Sequence, residues 1–125
     1  KLCETNSIWL DGTFKIVPSL FNQLYTIHAR YMGEMFPFAF ALLQDKRKVT
    51  YSRLFHQLVL KASDAGLSFA PETCLLDFEK GAINALNEVF TDTNIKGCYF
   101  HFAQSIWRKV NETVYKIFLM LYKFM

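Results

Sequence analysis

Leu24-Tyr25-Thr26-Ile27-His28-Ala29-Arg30-Tyr31 alternates without a break: Tyr25, Ile27, Ala29 and Tyr31 fall on one face, and Thr26, His28 and Arg30 on the other. A period of two is the mark of a strand with one buried side. Met32-Gly33-Glu34 follows as a turn, and Met35 to Leu43 is apolar on both faces. The pair therefore predicts a hairpin that ends in a well-buried strand. Pro37, which has no N–H to give, fits an edge or a strand start. Upstream, Ile8-Trp9-Leu10-Asp11 predicts a first short strand that stops at Asp11-Gly12, a favoured turn pair. Phe14 to Val17 continues as extended chain until Pro18.

Beyond the charged stretch Asp45-Lys46-Arg47-Lys48 the period changes. After Thr50, Leu54, Phe55, Leu58, Ala62 and Ala65 share a helical face, and Gly66 closes that helix. Cys74-Leu75-Leu76-Asp77 predicts a buried strand. The helix after it has Ala82, Ile83, Leu86, Val89 and Phe90 inward, and Ile95 to Phe100 is a fifth strand. A third helix from about Ala103 carries Ile106, Val110, Val114, Ile117 and Leu121 on one stripe. The order β-β-β-α-β-α-β-α predicts one α/β domain over residues 1–125, a mixed five-stranded sheet with helices on its faces.

With 125 residues there is room for one domain. The chain is 52% hydrophobic and 17% aromatic, and its thirteen phenylalanines demand a large interior or a partner. A net charge of +3 is compatible with nucleic acid and far from a histone-like balance. Cys3, Cys74 and Cys98 are odd in number and widely spaced, and no segment reads as a secretory signal, which together favour a reducing compartment. No apolar run approaches the ~18 residues of a membrane span.

Two carboxylates stand at predicted strand ends, Asp11 and Asp77, 66 positions apart (77 − 11). Were those strands parallel neighbours, both acids would emerge at one carboxyl edge, where open α/β sheets bind ligands. There they would offer hard oxygens to magnesium. Spacing alone gives precedence to plainer roles, a turn aspartate at Asp11 and a helix N-cap at Asp77 with Glu79 in the first turn. Cys98 and His101 have no second Cys/His pair nearby, since Cys74, His28 and His56 are scattered. They read as a packed cysteine and histidine before they read as half a zinc site. Lys46, Arg47, Lys48, Arg53, Arg108 and Lys109 would meet phosphates if their faces converge, although such clusters are commonly just solvated surface.

Three segments in order change this balance. Trp9-Leu10-Asp11-Gly12-Thr13-Phe14-Lys15 resembles the "DGTF" opening of the Mutator-like element (MULE) transposase domain. Leu76-Asp77-Phe78-Glu79-Lys80-Gly81-Ala82 is similar to its second acidic segment, and Gly97-Cys98 through Trp107-Arg108-Lys109 to its C-x-x-H … Q … W-R-K stretch. The likeness runs from about Ile8 to Val110; the tail from Asn111 to Met125 departs from it.

The resemblance implies an RNase H-like fold and metal-dependent cleavage and transfer of DNA strands by phosphoryl transfer. Asp11 and Asp77 would be the first two acids of a DDE triad that holds two Mg2+ or Mn2+ ions, and Cys98 and His101 would shape the site beside them. The family's third acid, a glutamate, lies beyond an inserted helical region past the Cys/His segment, and this sequence reaches Met125 before that point. Glu112, on the third helix, is set aside in favour of that later glutamate. The chain is accordingly expected to be a truncated domain with an incomplete triad. Other expectations are DNA partners (the terminal repeats of an element), possible contacts at Lys46, Arg47, Lys48, Arg108 and Lys109, nuclear location and no membrane attachment. The competing expectation is a domesticated or degenerate transposase relative that binds DNA or a partner without catalysis. The apolar third helix predicts self-association. Sedimentation of the purified chain at high concentration is expected to give oligomers, and a clean monomer would contradict the expectation.

Overall fold

The structure is a computed structural model that describes residues 1–14 and 16–124, with Phe100 and Phe124 described in their backbone alone. Lys15 and Met125, which belong to segments quoted above, lie outside the described residues. The alternating stretch forms β2 (Gln23–Tyr31), between β1 (Ser7–Thr13) and β3 (Glu34–Leu43). Then come α1 (Lys48–Asp64), β4 (Thr73–Leu76), α2 (Lys80–Val89), β5 (Asn94–Gly97) and α3 (Tyr99–Phe124). The sheet order is β3-β2-β1-β4-β5. β1, β2 and β3 pair antiparallel, whereas β1–β4 and β4–β5 pair parallel. The order of elements predicts this mixed five-stranded sheet with helices, and the arrangement is RNase H-like α/β, as the family resemblance implies.

Local chemistry explains the joints. Met32 (φ 51) and Gly33 (φ 86) both take positive φ, the backbone of a type I′ turn, whose twist matches the strands it joins. Gly66 (φ 71) ends α1, with its own N–H on Ser63 O at 2.9 Å and the Leu67 N–H on Ala62 O at 2.8 Å, the paired bonds of a Schellman cap. Pro37 sits on the outer strand at an irregularity where Ile27 faces Ala39 but His28 faces Pro37, so its missing N–H breaks no inner ladder.

The core lies between one face of the sheet and the pair α1–α2. Ile8, Leu10, Tyr25, Ile27, Ala29, Cys74 and Leu76 meet Tyr51, Phe55, Ala62, Ala82, Ala85, Leu86 and Phe90. Phe55 and Phe69 both pack on Phe90, at centroid distances of 6.0 and 5.7 Å. Burial pushes the Cys74 thiol up to about 12, so it is an inert apolar group rather than a nucleophile.

Several expectations change. β3 is not well buried: it is the outer strand, and Phe36, Phe40 and Leu42 stand exposed because α1 and α2 cover the central strands. Asp11-Gly12 is not a turn, since β1 stays paired with β2 through Thr13. Ile16 and Val17 lie in a turn and bend rather than in extended chain. α1 starts at Lys48, two residues earlier than its apolar period. β5 stops at Gly97 and α3 begins at Tyr99, because β4 ends at Leu76 and leaves residues 98–100 no strand to pair with. The stripe Ile106, Val110, Val114, Ile117 and Leu121 lies along α3 but is exposed, as is every residue from Gln104 to Lys123.

α1 has no side-chain cap at Arg47. Asp45 serves instead from outside the helix, accepting the Arg47 N–H at 3.0 Å, the Arg47 Nε at 2.8 Å and the Thr50 hydroxyl. The Arg47 guanidinium, the Thr50 hydroxyl and the Arg47 N–H hold the Asp45 carboxyl down to about 2, from an ordinary 3.8. A depressed acid contributes stability that is full above about pH 4 and lost as pH falls through about 2. Thermal melts at pH 6 and pH 3 are expected to show a smaller drop in Tm for Asp45→Asn than for the parent chain. An equal drop would contradict that role for Asp45.

Candidate functional site

The site begins with a register. Ser7, Ile8 and Trp9 pair with Thr73, Cys74 and Leu75, an offset of 66 (73 − 7). Asp11 lies two residues beyond Trp9 within β1, and Asp77 two beyond Leu75, one residue past the end of β4, so both follow the paired segment toward the carboxyl end of these strands (77 − 11 = 66). Ile8, Leu10, Cys74 and Leu76 are buried toward the helices. By alternation Asp11 belongs to the opposite face of the sheet, and Asp77 lies just past the end of β4.

That face carries the start of α3. The Cys98 N–H donates to Leu76 O at 2.7 Å, closing the strand pairing, and the Cys98 carbonyl accepts the Phe102 N–H at 3.0 Å, opening the helix. Half-buried Cys98 is thus the hinge between β5 and α3. His101, in the first turn, then meets Asp11, with Nε2 3.3 Å from Oδ1. Asp77 is not the N-cap of α2, a position held by Glu79; instead its Oδ1 accepts the Glu79 N–H at 3.3 Å.

A cleft of about 330 Å³ is lined by Lys46, Asp77, Phe78, Glu79, His101 and Arg108. Of the basic residues named from sequence, Lys46 and Arg108 reach this cleft. Lys46 Nζ lies 3.9 Å over the Phe14 ring and 4.0 Å from Glu79 Oε2. Arg47 is paired with Asp45 at 2.8 Å and Lys48 with Glu88, so neither charge is turned to the acids. Arg53 lines a different cleft, with Asp45 and Thr50, and Lys109 is exposed along α3. Glu112 stands eleven residues beyond His101, a helical rise of about 16 Å, too far to join the aspartates.

Two cleft residues had no site role in the sequence reading, Phe78 and Glu79. Their only signal was adjacency to Asp77. Burial raises the Glu79 carboxyl above its ordinary value, against the lowering effects of the Tyr51 hydroxyl and Lys46. Behind it, Gln23 Nε2 donates to the Tyr51 hydroxyl at 2.7 Å in the buried interior. Desolvation pushes the Tyr51 phenol well up, which leaves it protonated.

As donors the residues fit one hard divalent ion, which is held through one or two carboxylates and keeps water and substrate phosphate for its other positions. Among the described residues no group of three or more His, Cys, Asp or Glu side chains gathers as a metal site, so neither a zinc cluster nor a complete two-ion set is formed by them.

The sheet order and its helices define an RNase H-like α/β domain. The sequence model of the MULE transposase domain matches residues 7–105, most of the chain, from β1 into the first turns of α3. The chain belongs to that family, and its function is transposase-related. No curated protein matches the chain significantly. Among the described residues no helix is long and apolar enough to cross a membrane.

Gly81 sets the cleft wall. A Cβ there would overlap the Lys46 carbonyl oxygen and come within 3.4 Å of Tyr51 Cε2, so α2 and the backbone that leads into α1 lie in close contact. Gly81→Ala is expected to cost about 1–3 kcal/mol as overpacking. Urea unfolding measures it, and an unchanged or raised midpoint would show that the backbone leading into α1 yields freely.

Proposed function

We propose that this domain is the strand-cleaving and strand-transferring core of a DNA transposase, with Asp11 and Asp77 as its first two metal-holding carboxylates. The observation that supports the reading is the parallel β1–β4 register, whose 66-residue offset is also the separation of the two acids. Mg2+ or Mn2+ is the cofactor suited to these oxygen donors. When bound, such an ion supplies Lewis-acid polarisation of a phosphoryl oxygen and a bound water of lowered pKa.

The chain's own residues prepare that edge. His101 holds Asp11 through Nε2, and the Glu79 N–H orients Asp77 through Oδ1. Lys46 and Arg108 supply positive charge along the cleft for substrate phosphates. Cys98 fixes where α3 departs and thereby where His101 stands. The reading includes a glutamate outside this sequence as the third acid of a two-ion set. It also takes element terminal repeats as the DNA and the nucleus as the place of action.

The test titrates Mn2+ and follows the loss of its free-ion paramagnetic resonance signal. The parent chain is expected to bind, and Asp11→Asn and Asp77→Asn are each expected to weaken binding about tenfold or more with circular dichroism unchanged. In any longer form that nicks DNA in Mg2+, either substitution is expected to abolish nicking. Undiminished Mn2+ binding in both variants would refute the metal role.

A further inference from the structure

Phe78 follows Asp77 directly and remains 61% exposed at the cleft, although its ring is held in place. One side of the ring rests on the backbone of Gly97, the last residue of β5, where any Cβ would overlap it. Phe102, on the first turns of α3, meets it edge to face, with centroids 6.1 Å apart and planes at 63°. The other residues of the cleft, Lys46, Asp77, Glu79, His101 and Arg108, are all polar or charged. The ring is therefore a fixed, exposed aromatic platform beside two cations, Lys46 and Arg108, and two carboxylates.

An apolar protein segment would strand those charges without partners. A nucleotide satisfies both parts, since its phosphates answer Lys46 and Arg108 while a base stacks on the ring. That pairing of cationic groove and aromatic platform is how single strands are bound without sequence preference. About 330 Å³ lies at the small end of ligand sites and suits one nucleotide rather than a duplex.

We infer that Phe78 is a base-stacking residue, which holds one unpaired nucleobase of a DNA strand beside Asp77. The inference rests on the DNA reading proposed above and adds to it the state of the substrate: a strand locally unpaired at the acid edge. Gly97 and Phe102 act as positioning residues, because they fix the ring without touching the base.

The experiment measures binding of the intact chain, by fluorescence anisotropy at low salt, to a single-stranded oligonucleotide and to an abasic strand of equal length. The parent chain is expected to prefer the base-bearing strand. Phe78→Ala is expected to weaken that strand roughly fivefold or more while leaving the abasic strand unchanged, and Phe78→Trp is expected to keep the preference. If the parent chain binds both strands equally, or Phe78→Ala weakens both alike, the stacking site is overturned while the DNA reading stands. If the parent chain binds neither strand, the DNA reading falls and the stacking site with it.

Discussion

The parallel pairing of β1 with β4 is the constraint from which the site follows. Parallel neighbours run to the same edge, so residues at one register level leave the sheet together. A slip of one residue would turn every side chain of β4 to the other face. Cys74 and Leu76 oppose that slip, because they are buried beside Ile8 and Leu10 against α1 and α2. Apolar burial on one face thus fixes the register that leads β1 and β4 toward Asp11 and Asp77.

Glycine and buried amide chemistry brace the same edge from behind. A Cβ at Gly12 would overlap the Gln23 side-chain oxygen and crowd Tyr25, so β1 approaches β2 closely just past Asp11. Gln23 is fully buried and spends its amide on Tyr51, which faces Glu79 across the base of the cleft. Gly12 thus packs on Gln23, which is hydrogen-bonded to Tyr51 of α1. Gln23 Oε1 and Glu79 Oε1 are buried without a hydrogen-bond partner, so the network is only partly satisfied.

Two surfaces stand apart from this organised centre. The outer strand β3 shows Phe36, Phe40 and Leu42, and α3 exposes its apolar stripe from Ile106 onward. The family match ends at residue 105, close to where these exposed turns begin. The part of α3 that matters to the site is its first turn, which carries His101 and Phe102, and Arg108 two turns later.

Order of elements, strand alternation and the three motifs were legible in the sequence because each rests on local periodicity or on a short run of residue types. Tyr25, Ile27 and Ala29 declared their buried face, and Leu54, Phe55 and Ala82 declared their helices. Burial of β3 was not legible, since an apolar run reads alike in a central and in an outer strand, and only sheet order separates them. The roles of Asp11 and Asp77 were ambiguous for a similar reason: a turn pair, a helix cap and a metal ligand share the same local residues. The sequence by itself determined which side chains were available, and tertiary pairing decided which of them meet. The 66-residue offset, the His101–Asp11 contact and the seating of Phe78 on Gly97 all join segments far apart in the chain, and no local pattern encodes such distances.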